Sequence, residues 1–149
     1  MKIDYSYHYR KWHRDTPEHR RAMLDYYRRI LGPHLPPARE AHVLDVGCGM
    51  GYALLALQEL GYGSLQGIDC DDGQVASCRA KGLAVILTSD SAAYLQQQPG
   101  QFSLILALDL IEHIPVGSQL EFVAALASAL RPGGTLICTV PNANSALEG

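Results

Sequence analysis

Val43-Leu-Asp-Val-Gly-Cys-Gly-Met-Gly51 is the stretch on which the fold turns. Four residues with an apolar, β-branched bias run straight into three alternating glycines, and Ala53 to Leu60 follows as an almost unbroken apolar segment. The order strand, glycine turn, buried helix is the opening unit of a parallel α/β sheet. Glycines at 47, 49 and 51 let the backbone turn sharply and let a ligand approach the main chain, where a β-carbon would otherwise stand. The spacing does not fit a dinucleotide turn of the form Gly-x-Gly-x-x-Gly, because the third glycine arrives one residue early and position 52 is Tyr52. Asp45, just before the first glycine, would repel a pyrophosphate and suits a cationic ligand.

The same alternation extends in both directions. Upstream, Thr16 reads as an N-cap and Pro17 as the first helical residue, with Met23, Leu24, Tyr27, Ile30 and Leu31 at helical spacing up to the stop at Gly32-Pro33. Downstream, Leu65–Asp69 is expected as a strand with a helix to Lys81. Leu83–Leu87 is a third strand with a short helix over Ala92–Gln97, and Phe102–Leu108 a fourth. Ser118 is expected to cap a helix to Leu130, Arg131-Pro-Gly-Gly134 to turn, and Thr135–Val140 to form a β-branched fifth strand. Short apolar strands separated by helices require right-handed crossovers with helices on both faces. The expected fold class is therefore α/β, a Rossmann-like doubly wound parallel sheet of about five strands. Residues 1–39 read as an N-terminal arm and helix and residues 40–149 as the core, within one structural domain.

Composition sets the outer limits. The 149 residues, 48% hydrophobic and 18% charged, suit one globular unit. A net charge of -3 gives no general attraction to nucleic acid or anionic lipid, although residues 8–29 hold seven Arg or Lys. That basic stretch reads as a solvated helix face with an arm, or as a contact for an anionic group. No signal-peptide core and no apolar run of membrane-spanning length is present in the sequence, so a cytoplasmic protein without membrane or nucleic-acid partners is expected. Cys48, Cys70, Cys78 and Cys138 form no Cys-x-x-Cys pair and the histidines no helical i, i+4 pair, so no metal site is expected.

In its motifs the chain resembles the class I S-adenosylmethionine-dependent methyltransferases, whose first motif, acidic-x-Gly-x-Gly-x-Gly, stands here as Asp45 with Gly47, Cys48, Gly49 and Gly51. The resemblance covers roughly residues 40–141 in order. It implies S-adenosylmethionine as cofactor and S-adenosylhomocysteine as product. It places Asp69 on both ribose hydroxyls, two acceptor oxygens suiting a diol, with Cys70 against adenine and Ser89 and Asp90 at the adenine edge. Phe102–Pro115, including Leu108, matches the segment that carries the methionine end of the cofactor and faces the acceptor, and Arg131–Gly134 the turn before strand five. The plainer readings stay open: Asp45, Asp69 and Asp90 as turn or strand-end acids, and Cys48 as a small residue in a tight loop. Tyr7–Trp12 reads equally as a lid over the cofactor or a docked terminus.

The implied chemistry is displacement at a sulfonium methyl, for which a protein supplies alignment and removes a proton from a weakly acidic acceptor. The resemblance sets His113 near the methyl group as a base, with Glu112 to orient it and Asp109 as another candidate. The fourth motif lacks both Asp/Asn-Pro-Pro-Tyr and Pro-Cys, which argues for a small-molecule or sugar hydroxyl rather than a nucleic acid. The Glu-His-Ile-Pro loop and Val140-Pro-Asn-Ala-Asn144 are similar to methyltransferases of small-molecule and surface-polysaccharide pathways. Compared with the family, the chain is expected to be truncated at its C-terminus, lacking the last two strands and leaving strand five as an edge open to self-association. A cofactor-binding fragment without catalysis of its own is the alternative, and an NAD-dependent oxidoreductase a distant one.

Overall fold

The computed structural model describes residues 15–140. Tyr7–Trp12 and Pro141–Asn144 therefore lie outside the described residues. Helix α1 (Pro17–Leu31) starts as expected: the Thr16 side chain accepts from the backbone N–H of His19 at 3.1 Å, and Pro17 occupies the first turn, where no donor is needed. Glu18 near its start and Arg28 and Arg29 near its end complement the helix dipole. A 3-10 turn (Gly32–His34) ends it.

Strand β1 (Val43–Val46) is buried along its whole length, and the glycine turn leads to α2 (Tyr52–Glu59). The chain continues through β2 (Leu65–Asp69), α3 (Asp72–Ala80), β3 (Val85–Leu87), α4 (Ser91–Gln96), β4 (Phe102–Leu108), a 3-10 turn (Ile111–His113), α5 (Val116–Ala129) and β5 (Leu130–Thr139). All neighbouring strands are parallel in the order β3-β2-β1-β4-β5. The chain thus winds outward from β1 to β3, returns to lay β4 on the other side of β1, and ends at the opposite edge. The direction reverses between β1 and β4, the crevice where such sheets bind ligands.

Two apolar layers fix the sheet. Leu44, Val46, Ile68, Ile105 and Ala107 pack with Leu95 of α4 and with Phe122, Ala125, Leu126 and Ala129 of α5. Val43, Leu104 and Leu106 face Leu31 of α1 and Ala53 and Leu57 of α2. A smaller cluster of Cys48, Leu54, Val75, Cys78, Leu83 and Val85 ties α3 to the glycine turn.

Three expected boundaries move for local reasons. Leu83 belongs to the end of α3 rather than to β3: its N–H reaches the Cys78 carbonyl at 3.0 Å across Gly82, which adopts φ +82°. Helix α5 begins at Val116 after Pro115, so Ser118 sits inside the first turn instead of capping it. Arg131–Gly134 lies within β5 rather than forming a separate turn, with the irregularity absorbed as a register shift against Phe102–Leu104. Among the described residues β5 pairs with β4 alone, and no described helix is long and apolar enough to cross a membrane.

Gly67 in β2 marks how tightly the glycine turn rests on the sheet. A β-carbon there would stand 2.8 Å from Cys48 Sγ and 3.0 Å from Leu54 Cδ1. Gly67→Ala is expected to lower the unfolding free energy by about 1–3 kcal/mol through overpacking, read from urea denaturation midpoints at unchanged slope.

Candidate functional site

The site grows from the loop between β1 and α2. Gly47, Gly49 and Gly51 have φ of +73°, +54° and +81°, the left-handed region that side chains resist. The backbone N–H groups of Gly47 and Cys48 both donate to the Ile68 carbonyl, at 2.8 and 3.1 Å, and Gly51 N–H donates to the Cys48 carbonyl at 2.9 Å. A β-carbon on Gly51 would meet Leu83 Cδ1 at 2.5 Å and Cys78 Sγ at 3.0 Å, so both space and conformation demand glycine. Cys48 is buried against the Cys78 thiol, whose Sγ donates to the Gly49 carbonyl at 3.1 Å. The hydrogen bond with Cys78, then burial, pushes the Cys48 thiol up, and its counterpart holds Cys78 below the ordinary thiol range.

Two carboxyl groups flank this loop. Asp45 is 2% exposed, and its side chain accepts no hydrogen bond among the described residues. Burial first, then Cys78 and Asp69, push its pKa well above the usual carboxylate range. It lines a cavity of about 20 Å³ with Gly47, Cys48, Met50, Leu108 and Tyr27. Asp69, at the end of β2, is also buried and also shifted up by burial. Its oxygens already accept from the backbone: Oδ2 from Gly49 N–H and Oδ1 from Asp71 N–H, both at 2.9 Å, with Cys70 N–H as a third donor. Three donors leave about one of a carboxylate's roughly four acceptor sites open.

The remaining expected residues sit at neighbouring strand ends. Cys70 is half-buried next to Asp69. Ser89 and Asp90 are exposed after β3. Asp90 caps α4, its Oδ1 accepting from Ala93 N–H at 3.0 Å, which is the plainer of its two readings and leaves Oδ2 without a partner among the described residues. After β4, Asp109 is the one non-glycine residue at positive φ (+51°) among those described. It is pinned by Thr139, whose hydroxyl accepts from Asp109 N–H at 2.9 Å and donates to its Oδ1 at 3.1 Å. A strained residue at a strand's carboxyl end is a mark of functional loops. Glu112 and His113 lie in the following 3-10 turn with Oε1 and Nε2 3.6 Å apart, the imidazole half exposed.

Asp45, Gly47, Cys48 and Leu108 therefore surround one cavity, with Asp69 joined to it through Gly49, whereas Ser89, Asp90, Asp109, Glu112 and His113 stand outside its lining. Sequence reading missed Met23 and Tyr27 of α1, which also line it, together with Met50 and Tyr52. The apolar spacing of α1 marked Met23 and Tyr27 as core; nothing local says which core they join. A larger cavity of about 560 Å³ opens beside His42, Gln66, Arg79 and Phe102. It lies at the amino ends of the strands, the opposite pole from the crevice.

A family profile described as "Methyltransferase domain" matches residues 12–148. The chain belongs to that family. Among curated relatives it is 35% identical over 104 residues to "Ubiquinone biosynthesis O-methyltransferase" of Methylococcus capsulatus, covering 66% of this chain and 43% of that protein. It is 30% identical over 118 residues to "tRNA U34 carboxymethyltransferase" of Actinobacillus succinogenes, covering 74% and 35%. The chain spans about half the length, or less, of the curated relatives it matches. The fold is shared with a crystal structure of a SAM-dependent methyltransferase from Archaeoglobus fulgidus, at TM-score 0.77 and 22% identity over 94% of this chain and 60% of that one. It is shared too with the Haemonchus contortus "Phospholethanolamine N-methyltransferase 2" solved in complex with S-adenosylhomocysteine, at TM-score 0.69 and 20% identity over 83% and 31%.

The Asp45 shift has a consequence for stability. A carboxyl whose pKa is raised by folding holds its proton to higher pH than in the unfolded chain. Its contribution is complete below the ordinary value and is lost as pH rises through the folded one. Asp45→Asn removes that loss: at pH 7 the variant is expected to melt above the parent chain, and at pH 4 the two should nearly coincide, as thermal denaturation at both pH values will read.

Proposed function

We propose that this chain binds S-adenosylmethionine across the carboxyl ends of β1, β2 and β3, and serves methyl transfer to a hydroxyl of a small molecule. The observation that carries the reading is Asp45: a carboxyl that is buried and unpartnered, set beside a left-handed glycine loop, is a poor structural group and a good counter-ion for an ammonium. The cavity beside it takes a group of that size, while Asp69, Cys70, Ser89 and Asp90 extend along the strand ends where a nucleoside would lie. When bound, the cofactor supplies an electrophilic methyl group on a positively charged sulfur.

The chain's own residues do the rest. Asp45 gives up its proton to meet the ammonium, Asp69 offers its remaining acceptor capacity to the vicinal hydroxyls, and Gly47 and Gly49 admit the ligand against bare backbone. Leu108 and Tyr27 wall off water from the reacting end. Asp109, fixed by Thr139, and His113, beside Glu112, are the groups available to take a proton from an acceptor hydroxyl. The relatives named as O-methyltransferases support a hydroxyl acceptor. A sugar hydroxyl is the finer form of that reading, and the carboxymethyltransferase relative makes transfer RNA the acceptor to test against it.

Because the chain spans so little of its relatives' length, a second reading is a cofactor-binding unit that needs further chain for turnover. Among the described residues β5 pairs on one side only, which also supports association of two copies along that edge; light scattering over a hundredfold concentration range should then show a dimer, and a monomer throughout would count against it.

Calorimetric titration tests the central reading. The chain should bind S-adenosylmethionine and S-adenosylhomocysteine but not NADH. Asp69→Ala and Asp45→Asn should each weaken binding at least tenfold, about 1.4 kcal/mol. Parent affinity should also fall as pH is lowered, because Asp45 must ionise to bind. Equal affinity in all three proteins would refute the assignment. Methyl transfer from labelled cofactor to phenol, sugar and transfer RNA acceptors, with His113→Ala alongside, then separates the two readings.

A further inference from the structure

Lys81 is out of place by ordinary rules. It follows α3 directly, its side chain is only 8% exposed, and lysine is among the residues least often enclosed. Its ammonium donates to the Met50 carbonyl at 2.9 Å, lies 3.2 Å from Asp15 Oδ2, and stands 5.1 Å from the centre of the Tyr52 ring. Asp15 in turn accepts from the Tyr52 hydroxyl at 3.1 Å and pairs with the exposed Arg20. Three segments distant in sequence meet here: the residue before the α1 cap, the glycine loop with the first residue of α2, and the end of α3.

Met50 and Tyr52 line the same cavity as Asp45. The Met50 carbonyl belongs to the peptide that leads into Gly51 at φ +81°, so a donor on that carbonyl fixes the loop's last turn. A bare lysine would do this at a cost, for a positive charge so close to the cavity opposes a cationic ligand. Asp15 removes the cost by neutralising the ammonium in place. Arg20 adds a further charge, but from a side chain open to water, where it is screened.

We propose that Lys81 and Asp15 form a neutral strut: Lys81 positions the glycine loop, and Asp15 cancels the charge that would otherwise discriminate against the sulfonium form of the cofactor. This rests on the cofactor reading above. Neither residue touches the ligand; both are positioning residues.

The two roles separate by ligand charge. S-Adenosylmethionine carries a net positive charge at neutral pH, and S-adenosylhomocysteine, lacking the sulfonium, carries none. Asp15→Asn should raise the Kd for the first about fivefold more than for the second, the size expected of one uncompensated charge at roughly 10 Å in a partly wet site. Lys81→Met should raise both, the Kd for S-adenosylhomocysteine about fivefold more than that for S-adenosylmethionine because Asp15 is then the uncompensated charge, with Lys81→Arg restoring most of it. The double variant should recover the parent ratio of the two affinities, and Arg20→Gln should leave both within about twofold. Titrations are run on proteins whose melting curves show them folded at the working temperature; if Lys81→Met does not fold, Asp15→Asn and Asp15→Glu carry the test, the second keeping the parent ratio. A parent chain that binds neither ligand overturns the cofactor reading and the strut with it. A parent chain that binds both, with the ratio unmoved in Asp15→Asn, overturns the strut and leaves the cofactor reading intact.

Discussion

The structure depends on one close approach, that of the glycine turn to the sheet and helix beneath it. The turn must leave β1, reverse, and enter α2 within five residues, and it does so by resting Cys48 on Gly67 and Gly51 on Cys78 and Leu83. No β-carbon fits at Gly51 or Gly67, and none of the three loop glycines has a φ that a side chain favours. Bare backbone on the inner side brings β1, β2 and α3 into register; bare backbone on the outer side admits a ligand. The same steric rule thus serves packing and binding together.

That approach also explains why the site is electrostatically unsettled. Bringing β1 and β2 side by side sets Asp45 opposite Gly67, with Asp69 two residues further along β2, and both carboxyls are buried. Asp69 is partly compensated by three backbone donors, from Gly49, Cys70 and Asp71, Asp45 by none among the described residues. Folding alone gains nothing from an unpartnered buried carboxyl, which it must keep protonated or hold ionised at a cost. On the proposed reading, a group that weakens the free protein and fits a cation is arranged for a bound state, its stored cost becoming binding energy once an ammonium arrives.

Much of this architecture is legible in the sequence. The glycine spacing with Asp45 ahead of it, the apolar alternation, and Asp69 at the end of the second strand each follow from local rules, and the five strands appear in the expected order. What escaped was whatever depends on segments far apart in sequence. Leu83 looks like a strand residue until the Gly82 turn is seen to close α3 with it. Arg131-Pro-Gly-Gly134 has the composition of a turn, yet Phe102 and Leu104 hold it in the sheet by a shifted register. Thr139 is an ordinary strand threonine until its hydroxyl is found on Asp109. Asp90 reads as adenine contact or strand-end acid, and nothing local says that its Oδ1 will cap α4.

Helix α1 is the clearest case, because its sequence explains its helicity and nothing of its purpose. Met23 and Tyr27 obey the same apolar period as Leu24 and Leu31, but the first two close the Asp45 cavity whereas Leu31 packs on β1 and β4. It meets α2 through contacts that no periodicity encodes: His19 edge-on to Tyr52 at 5.8 Å, and Arg21 on Glu59. The Arg21 pairs are exposed and contribute little to stability. Tyr27, half-buried against the core, sits where burial first, then Asp45 and Asp109, hold its phenol protonated. A neutral, apolar roof over an unpaired carboxyl strengthens the attraction of that carboxyl for any cation that enters. The helix that precedes the sheet in sequence is therefore a working wall of the site, and a unit begun at residue 40 would lose it.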